Sequence, residues 1–175
     1  TGSASATLLG TATVSAVNGV STFTDLRIDE AGADYTLTAS SGNLTSTVTS
    51  SFDVVAASPS TLVVVSEPST TVAGETFGVQ PVVRVQDAYG NLIPFSSATV
   101  TVSITTGTGT AGATLSGSTT VSAEIGTATF SGLSIDAVGS GYTLTLASSG
   151  LTGATTSGFA ILSASATALA FSVQP

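Results

Sequence analysis

Shifted against itself by 107 residues, this sequence matches without a gap. Residues 1–68 align with 108–175, and 32 of the 68 pairs are identical. The shared skeleton includes Leu8/Leu115, Gly10/Gly117, Phe23/Phe130, Leu26/Leu133, Ile28/Ile135, Tyr35/Tyr142, Leu37/Leu144 and Phe52/Phe159. A fixed period with no insertion is the mark of an array, and this period is longer than the roughly 20–50 residues of a solenoid repeat. Each unit is therefore large enough to own a core. The small-residue joints at 56–60 (AASPS) and 163–167 (SASAT) set the phase. Residues 1–57 are expected to be the C-terminal part of one repeat, 58–164 a complete repeat, and 165–175 the first strand of the next. The array reading places all 175 residues as a window on a longer polypeptide; its rival is a short subunit that lends its last strand to a neighbour.

Within the complete repeat, apolar residues alternate at period two, the pattern of half-buried strands. Strands are predicted near 61–66, 76–86, 98–105, 113–122, 127–135, 141–147 and 155–162. The expected core is Phe77, Val83, Val85, Val102, Ile104, Phe130, Leu133, Ile135, Tyr142, Leu144 and Phe159. Turn signals separate the strands: DAYGN at 87–91, GTGTAG at 107–112, EIG at 124–126 and DAVGSG at 136–141. Pro81 interrupts its run and is expected at a bulge or edge. About seven short strands so spaced predict an all-β fold, tandem Ig-like antiparallel β-sandwiches with Greek-key connections. Tyr142 opens a strand after an Asp-x-x-Gly turn, as in the tyrosine corner of such sandwiches, where the hydroxyl bonds backbone upstream.

Composition narrows function. Charged residues are 7% of the chain, Ser and Thr number 60, and the net charge is −8. With Arg27 and Arg84 the only bases, nothing could neutralise phosphates, so nucleic acid is not an expected partner. No apolar run reaches the ~20 residues of a membrane helix, and no membrane insertion is expected in this segment. There is no His, Cys or Lys to activate any of the 60 hydroxyls as a nucleophile. Glu67, Glu75, Asp87, Glu124 and Asp136 lie in separate turns, without Trp to make a sugar platform. The chain is not expected to be an enzyme, and no catalytic or cofactor-binding residue is assigned.

The segments AGETFGVQPVVRVQDAYGNLIPFSSATVTVSI and ATLSGSTTVSAEIGTATFSGLSIDAVGSGYTLTLASSG resemble the bacterial Ig-like domains of intimin- and invasin-type adhesins. Val-x-Val-x-Asp-x-x-Gly-Asn-x-x-Pro at 83–94, Leu115-x-Gly117, Gly126-x-Ala128-x-Phe130 and Ala137-x-Gly139-x-x-Tyr142-Thr-Leu144 carry the likeness. The resemblance implies a structural or adhesive extracellular module, part of a stalk, fibre or sheath at a bacterial cell surface. Its partners would be neighbouring repeats or identical chains. The alternative is a ligand-binding adhesin module that grips a surface glycan or a host protein, with calcium assisting.

Four features could carry chemistry. Asp25, Asp29, Glu30 and Asp34 crowd one corner of the first copy, and clustered carboxylates suit Ca²⁺. The second copy has Gly132, Asp136, Ala137 and Gly141 there, so the candidate calcium site is private to the first copy. Asp87 and Asn91 flank Ala-Tyr-Gly, which reads as an Asx-type turn with Gly90 at positive φ, or as a ligand loop tipped by Tyr89. The Thr-x-Thr pairs Thr36/Thr38 and Thr143/Thr145 are expected on the wet side of a sheet. Asn43-Leu44-Thr45 is a glycosylation sequon that the second copy, with Gly150, lacks.

Overall fold

A computed structural model describes residues 2–166. Most of the strand expected at 165–175 lies outside the described residues. Among them the chain is all-β, without helix. It divides into two units. The first comprises the residues up to Ser58 together with Gln86–Ile93, and the second comprises Pro59–Val85 and the residues from Pro94 onward.

The second unit is a β-sandwich. In one group of strands, Val82–Gln86 lies between Thr61–Ser66 and Thr127–Thr129. In the other, Thr99–Ile104 lies between Thr120–Ser122 and Leu144–Ala147, with Ala154–Thr155 beyond. Gly139–Tyr142 pairs antiparallel with Phe159–Leu162, which pairs parallel with Thr71–Val72. Apart from Leu144–Ala147 and Ala154–Thr155, strands adjacent in these sheets are not consecutive in sequence, the ordering that Greek-key connections give. Alternation sets the core: Val100 and Val102 point in while Thr99, Thr101 and Ser103 point out.

Ten of the eleven expected core residues are buried, and Ile104 is half-buried. Val100, Leu146 and Ile161, from strands the alternation located, join them. Several strands are shorter than expected: 113–122 resolves into Leu115–Ser116 and Thr120–Ser122, 127–135 into Thr127–Thr129 and Ser134–Ile135, 141–147 into Gly139–Tyr142 and Leu144–Ala147, and 155–162 into Ala154–Thr155 and Phe159–Leu162. The run predicted over 76–86 begins only at Val82, and Val79 is exposed. Pro81 has no N–H to give a ladder, so the continuous strand starts after it and, within this run, only an isolated bridge, Thr76↔Ser134, precedes it; its carbonyl still accepts the Phe130 amide at 3.2 Å.

The first unit repeats half of this register. Leu8↔Ile28 reproduces Leu115↔Ile135, Tyr35↔Phe52 reproduces Tyr142↔Phe159, and Thr38↔Val48 reproduces Thr145↔Thr155. Burial does not follow. Phe130 is 1% exposed, whereas Phe23, at the same repeat position, is 41% exposed. Leu8, Leu26, Ile28, Leu37, Phe52 and Val54, with Arg27, line an open groove of about 110 Å³. In the second unit the equivalent residues Leu133, Ile135, Leu144 and Phe159 are buried, in a core that also holds Leu62, Val83, Val85, Val100 and Val102 from strands Thr61–Ser66, Val82–Gln86 and Thr99–Ile104. The first unit has no counterpart of those strands among the described residues.

Both tyrosines form the corner that the turn signal predicts. The Tyr142 hydroxyl donates to the Ala137 carbonyl at 2.8 Å, and the Tyr35 hydroxyl donates to the Glu30 carbonyl at 2.9 Å.

Candidate functional site

The segment Gln86–Ile93 folds with the first unit through Asp87 and Asn91. Asp87 leaves strand Val82–Gln86 into a turn, where the Asp87 amide donates to the Asn91 carbonyl at 3.0 Å. Its Oδ1 accepts the amides of Tyr89 and Asn91, each at 2.9 Å. This is the Asx turn, and Gly90, at φ 90°, supplies the left-handed step that residues with a side chain adopt at a cost. Asp87 Oδ2 accepts the Asn91 side-chain amide and the Ala57 backbone amide, both at 2.9 Å.

Asn91 completes the arrangement. Its Oδ1 accepts the Ala31 amide at 2.8 Å, and its Nδ2 also donates to the Asp29 carbonyl at 2.9 Å. Two side chains therefore engage three backbone groups of residues 29–57. The sequence shows the turn; it does not show these partners, which lie 30 to 62 residues away.

Asp87 is only 1% exposed. Burial alone would push its carboxyl up, since the charged form loses water. Hydrogen bonds from the Asn91 side chain and from the amides of Ala57, Asn91 and Tyr89 outweigh that and hold it below its ordinary range. The group is a buried, fully engaged carboxylate. Tyr89, at the tip of the loop, is 62% exposed and remains the one aromatic there that a ligand could reach.

Three of the four candidate calcium ligands accept hydrogen bonds from the chain. Asp25 accepts the Thr11 amide and hydroxyl, both at 2.9 Å, and these bonds hold its carboxyl below the usual range. Asp29 accepts the Thr7 amide at 2.8 Å, as Asp136 accepts the Thr114 amide at 2.7 Å in the second copy. Glu30 accepts the Ser5 hydroxyl at 2.7 Å. Asp34 stands at φ 59°, where the second copy has Gly141 at φ 70°. Among the described residues, no three acidic side chains are grouped so that they could hold a metal ion. Two of these acids, Asp25 and Asp29, are engaged with backbone amides, and Glu30 with a hydroxyl.

Of the remaining acids within residues 58–164, Glu67 and Glu124 have separate surroundings. Glu67 accepts the Ser157 amide at 3.1 Å. Glu124 borders a surface hollow of about 550 Å³ whose other lining residues are Val121, Ser122, Ile125, Thr127 and Thr129. That hollow has one carboxylate and no base. Thr145 donates to or accepts from the Thr105 hydroxyl at 2.8 Å, so the Thr-x-Thr rows serve partly as cross-strand pairs.

No family model matches the chain, and no curated protein does. Solved structures do. A β-glycosidase from Bacteroides vulgatus matches at 15% identity and a TM-score of 0.45, covering 66% of this chain and 15% of that one. A glycosyl hydrolase family 2 member from Bacteroides cellulosilyticus matches at 14% identity and a TM-score of 0.45, covering 67% and 16%. The chain thus spans about one sixth of the length of either enzyme, and likeness at this level carries no activity across.

Proposed function

We propose that this chain is a structural repeat module of a bacterial cell-surface or extracellular stalk, fibre or sheath, of the intimin- and invasin-like kind, and that it has no catalytic role. One observation carries the reading. The first unit holds, in the same register, part of the sandwich seen whole in the second, and among the described residues its inner face is open where the second has four more strands, Thr61–Ser66, Thr71–Val72, Val82–Gln86 and Thr99–Ile104. An apolar face and an unpaired edge favour association with matching strands. In an array, another stretch of the same repeat supplies them.

The chemistry agrees with a mechanical role. The hydroxyls lack a base, and the most buried carboxylate, Asp87, is spent on backbone amides. Intact mass of the native polypeptide tests the array: a species several times 16.9 kDa is expected, and one near 16.9 kDa would overturn it. Protease shaving of whole cells should release peptides of this sequence; protection until lysis would sink the surface assignment.

The exposed Tyr89 favours a second reading, an adhesin module for a surface glycan or host protein. Glycan-array binding lost in Tyr89→Ala would support that reading. Equal binding by both proteins, or none, would remove its basis.

A further inference from the structure

The 107-residue register places Asp136, Val138 and Ala164 where Asp29, Ala31 and Ala57 stand in the first unit. Those three earlier residues offer the backbone groups that Asn91 and Asp87 engage. The framework that presents them is the same in both copies. Gly32↔Val54 and Gly139↔Ile161 pair alike, with the same register shift before Tyr35 and Tyr142. Asp29 and Asp136 accept equivalent threonine amides, and the two tyrosine hydroxyls bond carbonyls five residues upstream.

What differs is the covering. Asp29 and Ala31 are half-buried, whereas Asp136 is exposed and Val138 is 50% exposed. Among the described residues, no side chain bonds the Val138 or Ala164 amide. A valine left half in water beside a preformed pair of backbone groups is an incomplete surface.

We propose that Asp136, Val138 and Ala164 form a docking site for the Asp-x-x-Gly-Asn loop of a further copy of this repeat. The counterpart of Asn91 would accept the Val138 amide and donate to the Asp136 carbonyl. The counterpart of Asp87 would accept the Ala164 amide. The partner follows from chemistry already present in the first unit, where this loop meets these positions. Residues 165–175 match 58–68 in the register, so the repeat that carries such a loop begins again there in sequence. The proposal rests on the array reading, but its test measures docking alone, and a failure here leaves the intact-mass result standing.

The test compares the 175-residue chain with one extended after Pro175 by an in-phase copy of residues 69–164, using residue-resolved amide hydrogen exchange. Exchange of the Val138 and Ala164 amides should slow about tenfold or more in the extended chain, as expected for new hydrogen bonds at an exposed edge. Changing the appended counterpart of Asn91 to Ala should release Val138 and spare Ala164. Changing the counterpart of Asp87 to Ala should release Ala164. The Thr114 amide, held by Asp136, reports that the receiving unit is folded in every variant. If Thr114 stays protected and Val138 exchanges at one rate in all the chains, the proposal is wrong. Within the 175-residue chain, Asn91→Ala should speed exchange of the Ala31 amide, and an unchanged rate there would remove the precedent.

Discussion

Gly109 stands against the face of Tyr142 so closely that a Cβ built on it would lie 2.1 Å from the ring. Gly2 meets Tyr35 in the same way. The corner thus has two fastenings: a ring that needs a bare glycine beneath it, and a hydroxyl that reaches back to a carbonyl.

The first prediction separates these fastenings. Tyr142→Phe keeps the ring and deletes the donor to the Ala137 carbonyl, and it should cost the second unit about 1–3 kcal/mol. Urea unfolding followed by tryptophan-free far-ultraviolet dichroism would show a lower midpoint with an unchanged slope. A midpoint equal to that of the parent would mean the hydroxyl is idle.

Gly109→Ala should cost more than Tyr142→Phe. Gly109 sits at φ 64°, so alanine there carries left-handed strain of about 1–2 kcal/mol, and its methyl would displace the ring at a cost of about 1–3 kcal/mol more. The same urea titration decides the order of the two variants.

Phe130 and Phe23 occupy one repeat position in two environments. Phe130→Ala should destabilise the second unit by about 3–5 kcal/mol through a core cavity. Phe23→Ala, with its ring 41% exposed, should cost the first unit only about 1 kcal/mol. Equal losses, measured as exchange protection within each unit, would contradict the open face described here.

Ile125 offers a stabilising change. The Glu124 and Thr127 amides and carbonyls close a two-residue hairpin at 2.8 and 2.9 Å, with Ile125 at φ 49° and Gly126 at φ 70°. A turn with both central residues at positive φ prefers Asn-Gly, and the first copy has Asn18 at φ 51° before Gly19. Ile125 is 76% exposed and gives up little packing. Ile125→Asn should raise stability by about 1 kcal/mol, read as a higher melting temperature.

Acid should loosen the Asp87 turn. Because the folded carboxyl is held below its ordinary value, its contribution is present at neutral pH. It fades as pH falls below the unfolded value of about 3.9 and is lost through the lower folded one. Exchange of the Ala57 and Tyr89 amides, corrected for intrinsic rates, should show protection that drops over that window. In Asp87→Asn the drop should vanish, with less protection already at neutral pH.

The sequence by itself determined the 107-residue internal match, the all-β class and most of the core. Alternation at period two is a local property, so Val83, Val102, Phe130 and Leu144 declare their inward face without reference to partners. The Asx turn at Asp87 and the tyrosine corner are legible for the same reason, since their hydrogen bonds span two to five residues. Pro81 shows the limit: the pattern ran through it, but a missing N–H moved the strand's start to Val82. Only the tertiary structure decided what Asp87 and Asn91 hold, because Ala57, Ala31 and Asp29 are remote in sequence and contribute backbone groups, which no residue type reveals. It also showed that, among the described residues, no three of Asp25, Asp29, Glu30 and Asp34 are grouped as a metal site would need, since nearness in sequence does not bring carboxylates to one point. And it decided that Phe23 is exposed where Phe130 is buried: identical residues in identical registers differ because, among the described residues, only the second unit has strands packed over that face.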